Sequence, residues 1–276
     1  MTLDKARLVL IVMTLPWNVV AQEALLLRHN PTAGRMVRTA FETVTIVWAF
    51  DGRRFESADH GIVQTTALQG PRGEAVVHLA YDSVRTRTRG SNGQWRGFLV
   101  SGADSSWIQV GLDERMRVTG TNQGKQLSGV TGLMRILTGI PRLELPEGSL
   151  TAGDGWSNPT VVSVIPGLRN ETVPPTINGI AQIVLDSMVV RSRDTLGFLS
   201  LNGQFPAATF VDVLGPGRVT ASGDLVGSLV WSTAWNGFVS GVSKTRMVVV
   251  RASSDDEVEG GEKLVLEATT RHLVKP

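Results

Sequence analysis

The sequence predicts a mainly β fold: antiparallel twisted sheets, or a half-barrel, built from long hairpins with one short mid-chain helix. Three observations carry that expectation. Apolar and polar residues alternate with a period close to two through most of the chain, the rhythm that sends successive side chains to opposite faces of a strand. Asn-Gly pairs stand between extended segments at Asn92-Gly93, Asn202-Gly203 and Asn236-Gly237, and both residues tolerate the positive φ of tight hairpin turns. One run alone departs from this rhythm and repeats its apolar residues at helical spacing.

The elements follow in chain order. Lys5 and Arg7 precede an apolar run over residues 8–15, then Pro16, Trp17 and Val19-Val20-Ala21. Residues 1–21 read as a secretory signal cleaved after Ala21, or as an N-terminal anchor, since the run is short for a membrane span of roughly 20 residues. A buried first strand has the same composition. In residues 43–48 β-branched and aromatic residues crowd together. Over 84–89 the alternation is strict, with Val84, Thr86 and Thr88 on one face and Arg85, Arg87 and Arg89 on the other.

Hairpins are expected over 84–101, 189–211 and 218–251, one around each Asn-Gly pair. A polar loop over 253–261 then leads to a last strand over 263–270. The departure lies between the first two hairpins. Leu127, Val130, Leu133, Met134, Leu137 and Ile140 recur every three or four residues, with Gly139 and Pro141 as a stop signal; Gly129 and Gly132 weaken the helix. A turn-rich connector follows. It divides the chain into a first β half over 22–145 and a second over 146–276, in which Arg191 and Arg193 echo the arginines of 84–89.

Composition narrows the function classes. At 276 residues, 42% hydrophobic and 19% charged, the chain is neither disordered nor a polytopic membrane protein. It has no cysteine, so disulfides, thiolate metal sites and cysteine nucleophiles are excluded. A formal charge of +2 gives no concentrated basic face for nucleic acid.

Motifs of catalysis are equally scarce. No Gly-x-Ser-x-Gly string occurs. Gly241-Val-Ser-Lys-Thr fails as a phosphate loop, because its Lys does not directly follow a glycine. His29, His60, His78 and His272 include no pair at the i, i+2 or i, i+4 spacing that would aim two imidazoles at one ion, so metal binding has little support. The acidic run Asp255-Asp256-Glu257 lacks the ligand spacing of a calcium loop. The expectation is a non-enzymatic protein without cofactor or metal.

Two features point to contact surfaces. Seven Trp stand against one Tyr, and Trp95, Trp231 and Trp235 flank hairpin turns; tryptophan suits contact hot spots and membrane interfaces, and equally a core. Arg85, Arg87 and Arg89, extended across the turn by Arg96, form a basic ribbon for carboxylates or phosphates on an acidic protein or anionic lipid.

Leu145-Pro146-Glu147-Gly148 followed by Gly153-Asp154-Gly155-Trp156, with hairpins on either side, resembles poorly characterised bacterial envelope β-proteins, similar in outline to the LolA and LprG lipid or lipoprotein carriers. That resemblance implies a curved sheet whose helices cover an acyl-binding concavity, with Leu133, Met134 and Leu137 lining it.

The function expected is that of a periplasmic protein at the membrane surface. It would act as a docking or accessory scaffold subunit of a membrane-associated complex, such as a bacterial photosynthetic reaction centre–antenna assembly. The alternative is a periplasmic lipid or lipoprotein carrier of the LolA type.

Overall fold

In the computed structural model of this chain, residues 24–70, 75–90, 92–99, 107–123, 143–163, 176–211, 218–251 and 262–275 are described. They form twelve strands in one antiparallel sheet. The first half supplies β1 (Met36–Trp48), β2 (Arg54–Gln69), β3 (Ala75–Arg89), β4 (Trp95–Leu99), β5 (Trp107–Leu112) and β6 (Val118–Gln123). The second supplies β7 (Gly155–Ser163), β8 (Thr176–Arg191), β9 (Asp194–Val211), β10 (Arg218–Ser232), β11 (Gly237–Arg251) and β12 (Glu262–Lys275).

The spatial order is β6-β5-β3-β2-β1-β12-β11-β10-β9-β8-β7, with β4 also on β3. Strand β3 divides its edge: residues from Ala75 to Ala80 pair with β5 and those from Arg85 to Arg89 with β4. The second half is a run of neighbours in sequence, the first departs from one only where β5 lies beside β3, and the two join where β1 lies against β12, from Arg38↔Lys275 to Trp48↔Val265. Among the described residues there is no helix. The helix expected at 127–140, with Leu133, Met134 and Leu137, and the N-terminal segment 1–21 both lie outside the described residues.

Period-two patterning is plainest in β8. Ile177, Ala181, Ile183 and Leu185 are buried, while Thr176, Asn178, Ile180 and Gln182 face outward. The same side of the sheet carries Leu199, Leu201 and Phe205 of β9, Leu225, Leu229 and Trp231 of β10, Met247 and Val249 of β11, and Leu264 and Leu266 of β12. We call this the inner face.

Two extended segments lie on it. Leu25 and Leu150 exchange backbone hydrogen bonds of 2.7 and 2.8 Å, and Leu25, Leu27, Leu143, Leu145 and Leu150 join the core. A strand sheet alone leaves one apolar face in water, and these segments cover part of it.

The Leu145-Pro-Glu-Gly connector is held by arginines. Arg28 donates to the carbonyls of Pro146 (2.8 Å) and Glu147. Arg115, in the β5–β6 turn, donates to the Leu145 carbonyl at 2.9 Å and pairs with the Glu147 carboxylate at 2.7 Å. Met116 of that turn packs against the second-half core. One end of the sheet path is thereby brought to the segment covering the other half.

Two of the three Asn-Gly pairs do turn the chain. Gly93 has φ 74° between β3 and β4, and Asn236 has φ 47° between β10 and β11. Asn202-Gly203 instead lies mid-strand in β9, and the β8–β9 turn falls at Ser192-Arg193. The reason is packing. Asn202 faces outward, and Gly203 faces inward, where a Cβ would stand 3.2 Å from the Leu225 side chain on β10.

Other inward glycines work the same way beneath rings. Phe41 covers Gly61 across β1 and β2, and His272 covers Gly241 across β11 and β12. An aromatic ring over a cross-strand glycine fills the place of the missing side chain and lets the strands bend.

Candidate functional site: two faces of the central strands

The residues flagged by sequence fall on different sides of the sheet. Cross-strand partners share a face, so the register sorts them. On the outer face one row runs Arg246–Glu267–Ile46–Glu56–Arg89–Trp95 from β11 to β4. Its charges pair internally: Arg246 with Glu267 at 3.5 Å and Arg89 with Glu56 at 3.5 Å. The Arg89 guanidinium lies 5.4 Å from the centre of the exposed Trp95 ring. Arg85 and Arg87, in the neighbouring rows, are exposed and make no ion pair with another described residue.

The remaining flagged residues lie elsewhere. Arg96 pairs in register with Thr88 and not with an arginine, so it lies on the inner face and does not extend the ribbon. An even step along the strand separates Arg85, Arg87 and Arg89, and the turn placed Arg96 one residue out of that phase. Trp231 is 1% exposed, edge-on to Phe238 with ring centres 5.1 Å apart, and belongs to the core. Trp235 is half-buried beneath Arg35, whose guanidinium sits 3.8 Å from its ring centre. Its contact is intramolecular.

The inner face of the same central strands holds what periodicity alone did not reveal. Two adjacent rows there are nearly all polar. One is Ser243–Thr270–Thr43–Asp59–Thr86 and the next is Thr245–Ala268–Thr45–Ser57–Thr88–Arg96. Apolar rows flank them: His272, Phe41, Gly61 and Val84 on one side, Met247, Leu266, Val47 and Phe55 on the other.

Where the second polar row meets the apolar row of Val47 there is an open recess of about 280 Å³. It is lined by Thr45, Val47, Phe55, Glu56, Ser57, Thr88, Arg89 and Gly90. A sequence signal did exist, because Thr, Ser and Asp recur at alternate positions in residues 43–45, 57–59 and 86–88. Only register shows that these positions adjoin.

Within the belt, Thr43 and Thr270 hydroxyls lie 3.2 Å apart and Thr43 is fully buried. Thr86 donates to Asp59 at 2.6 Å. Burial lifts the Asp59 carboxyl above its ordinary value, against the Thr86 hydrogen bond and the nearby charge of His60. Burial lowers His272, whose Nε2 has no hydrogen-bond partner among the described residues. His29, also lowered chiefly by burial, sits apart in the N-terminal segment. Among the described residues no three His, Asp or Glu side chains gather as metal ligands would.

Comparison with known proteins bears on the fold. No family model matches the chain, and no curated protein matches it. A solved structure described as lipid-protein interactions in lipovitellin superposes with a TM-score of 0.52 at 10% identity, over 90% of this chain and 25% of that one. This chain thus spans about a quarter of the lipovitellin chain, and the likeness is one of fold. DynF from the dynemicin biosynthesis pathway of Micromonospora chersina aligns over 92% of this chain and 86% of its own, at 8% identity. Its TM-score of 0.26 carries no argument.

Proposed function

We propose that this chain is a non-catalytic, acyl-binding carrier of the cell envelope that holds lipid against the inner face of a half-barrel. One observation carries the reading: an open recess of about 280 Å³ in which an apolar row, Val47 and Phe55, meets a hydroxyl row, Thr45, Ser57 and Thr88. Ligand sites for amphiphiles combine an apolar wall with a few placed polar groups, and small-molecule pockets begin at roughly 300 Å³. The likeness to lipovitellin, whose solved structure is described by its lipid interactions, supports the same reading.

The test is direct. Full-length protein purified from its host membranes, extracted with organic solvent and examined by mass spectrometry, should release acyl lipid. It should also bind a fluorescent fatty acid. Phe55→Glu, at a position 39% exposed and lining the recess, places a charge where the chain would lie. It should weaken fatty-acid binding about tenfold or more, the equivalent of at least ~1.4 kcal/mol, with unchanged thermal unfolding. Absence of both co-purified lipid and probe binding in the wild type would overturn the carrier.

A second reading rests on the outer face. Exposed Arg85 and Arg87, free of ion pairs with described residues and on the same face as Trp95, favour docking to an acidic partner as an accessory subunit of a membrane-associated complex. Co-fractionation with one defined complex from gently solubilised membranes, lost in Arg85→Glu/Arg87→Glu and kept in Phe55→Glu, is the outcome that supports it. Fractionation as a free monomer in the wild type excludes it.

A further inference from the structure

The polar belt is an unusual feature on an inner face. Thr45, Ser57 and Thr88 line the recess, and their hydroxyls take no hydrogen bond from another described side chain. Asp59 lies one row away on the same face, half-buried, with the Thr86 hydroxyl as its hydrogen-bond donor and no cation on that face beside it in register. Arg96, exposed on the same face opposite Thr88, has no carboxylate partner among the described residues. A carboxylate and a guanidinium thus stand without an ion-pair partner among the described residues on this face, with the Ser57 and Thr88 hydroxyls on the strands that lead from one to the other.

Their separation is informative. Asp59 is on β2 and Arg96 on β4, two strands apart, which is about 10 Å across the sheet. An extended arginine side chain is long enough to reach across much of such a gap. A group carrying an anion and a cation a few atoms apart would satisfy both ends, with the hydroxyls between them donating to its oxygens and accepting from its ammonium N–H groups. Such a group also offsets the desolvation that burial imposes on the Asp59 carboxylate.

We propose that the belt is a headgroup site for a zwitterionic phospholipid, in which Asp59 takes the ammonium, Arg96 takes the phosphate, and Ser57 and Thr88 fill the hydrogen bonds between them. The proposal rests on the acyl-carrier reading and names the lipid class. The acyl chains run from the recess onto the apolar row of Val47 and Phe55. An ammonium ion is a compact three-donor charge suited to a carboxylate among hydroxyls, and a guanidinium fork matches a phosphate.

The experiment compares headgroups at constant chains. Delipidated full-length protein is mixed with detergent-solubilised phosphatidylethanolamine, phosphatidylglycerol or diacylglycerol of identical acyl composition, and bound lipid is read by native mass spectrometry. The wild type should bind phosphatidylethanolamine about tenfold more tightly than phosphatidylglycerol, the effect of one charge-assisted contact. Asp59→Asn should bring the two to equal affinity. Arg96→Gln should weaken both phospholipids and leave diacylglycerol unchanged.

If Asp59→Asn does not fold, Ser57→Ala serves in its place and should weaken both phospholipids severalfold relative to diacylglycerol. Equal binding of the two phospholipids by the wild type, or a preference that survives Asp59→Asn, overturns the headgroup site while leaving the carrier standing. Failure of all three lipids to bind overturns the carrier itself, and the headgroup site with it.

Discussion

Replacing Trp231 with alanine is expected to lower the unfolding free energy by about 3–5 kcal/mol, the range for truncating a fully buried large aromatic side chain. The indole is 1% exposed. It stands edge-on to Phe238 across the β10–β11 pair, where the ladder shifts register between Val230 and Trp231. Its Cβ also lies 3.9 Å from the position a side chain would begin at Gly197 on β9.

Removing the ring opens a cavity between three strands that are pinned by their ladders and relax little. A domain with ordinary stability of about 5–15 kcal/mol would keep a folded fraction but lose much of its margin. Urea unfolding should show a lower midpoint with an unchanged slope. A loss below about 1 kcal/mol would mean that the site collapses freely and that the core is not packed as described.

Loss of the Asp194 carboxylate should have the next largest effect. Asp194 opens β9, and its oxygens accept from the Ser232 hydroxyl at 2.8 and 2.9 Å, the Thr233 hydroxyl at 3.2 Å and the Ala234 N–H at 2.9 Å. One side chain therefore holds the whole β10–β11 turn. That turn in turn carries the N-terminal segment, through Asn236 to the Asn30 carbonyl at 3.1 Å and Arg35 to the Ala234 carbonyl at 3.2 Å.

Asp194→Ala leaves the buried Ser232 hydroxyl without its acceptor, and a loss of about 2–3 kcal/mol follows from the strength of hydrogen bonds to a charged group. Burial by itself would raise this carboxyl, yet the bonds from Ala234, Ser232 and Thr233 outweigh it and hold the pKa below its ordinary 3.8. The sign follows from that depression. The contribution is full above the unfolded pKa and is lost as pH falls through the lower folded one.

Wild-type stability should accordingly drop on acidification below about pH 4, and Asp194→Asn should flatten that limb while lowering stability at neutral pH. Urea midpoints measured between pH 2 and 7 read both effects. An Asp194→Asn protein with the wild-type acid limb would assign the pH dependence to other carboxylates.

The residues that misled sequence reasoning share one physical cause. Trp231 and Trp95 look alike in sequence, each next to a turn, yet one is buried edge-on to Phe238 and the other is exposed under the Arg89 guanidinium. Asn202-Gly203 has the composition of a turn and the environment of a strand, because Leu225 occupies the space above Gly203. Arg96 looks continuous with the arginines before it until the hairpin phase is known. In each case local composition was read correctly and the neighbour that decides its meaning comes from another strand.

What the sequence by itself determined is the secondary structure and its polarity. Alternation in residues 84–89 commits that segment to a strand with one wet face, and the glycine and asparagine of 92–93 and 236–237 favour turns, because steric limits on φ and burial of apolar side chains act locally. What the tertiary structure alone decided is adjacency. The pairing of β1 with β12 unites strands more than two hundred residues apart in the chain, and it is this pairing that lays Thr43 beside Thr270 and gathers scattered hydroxyls with Asp59 into one belt. Register between distant strands depends on the summed packing of a whole face, so no single stretch of residues encodes it.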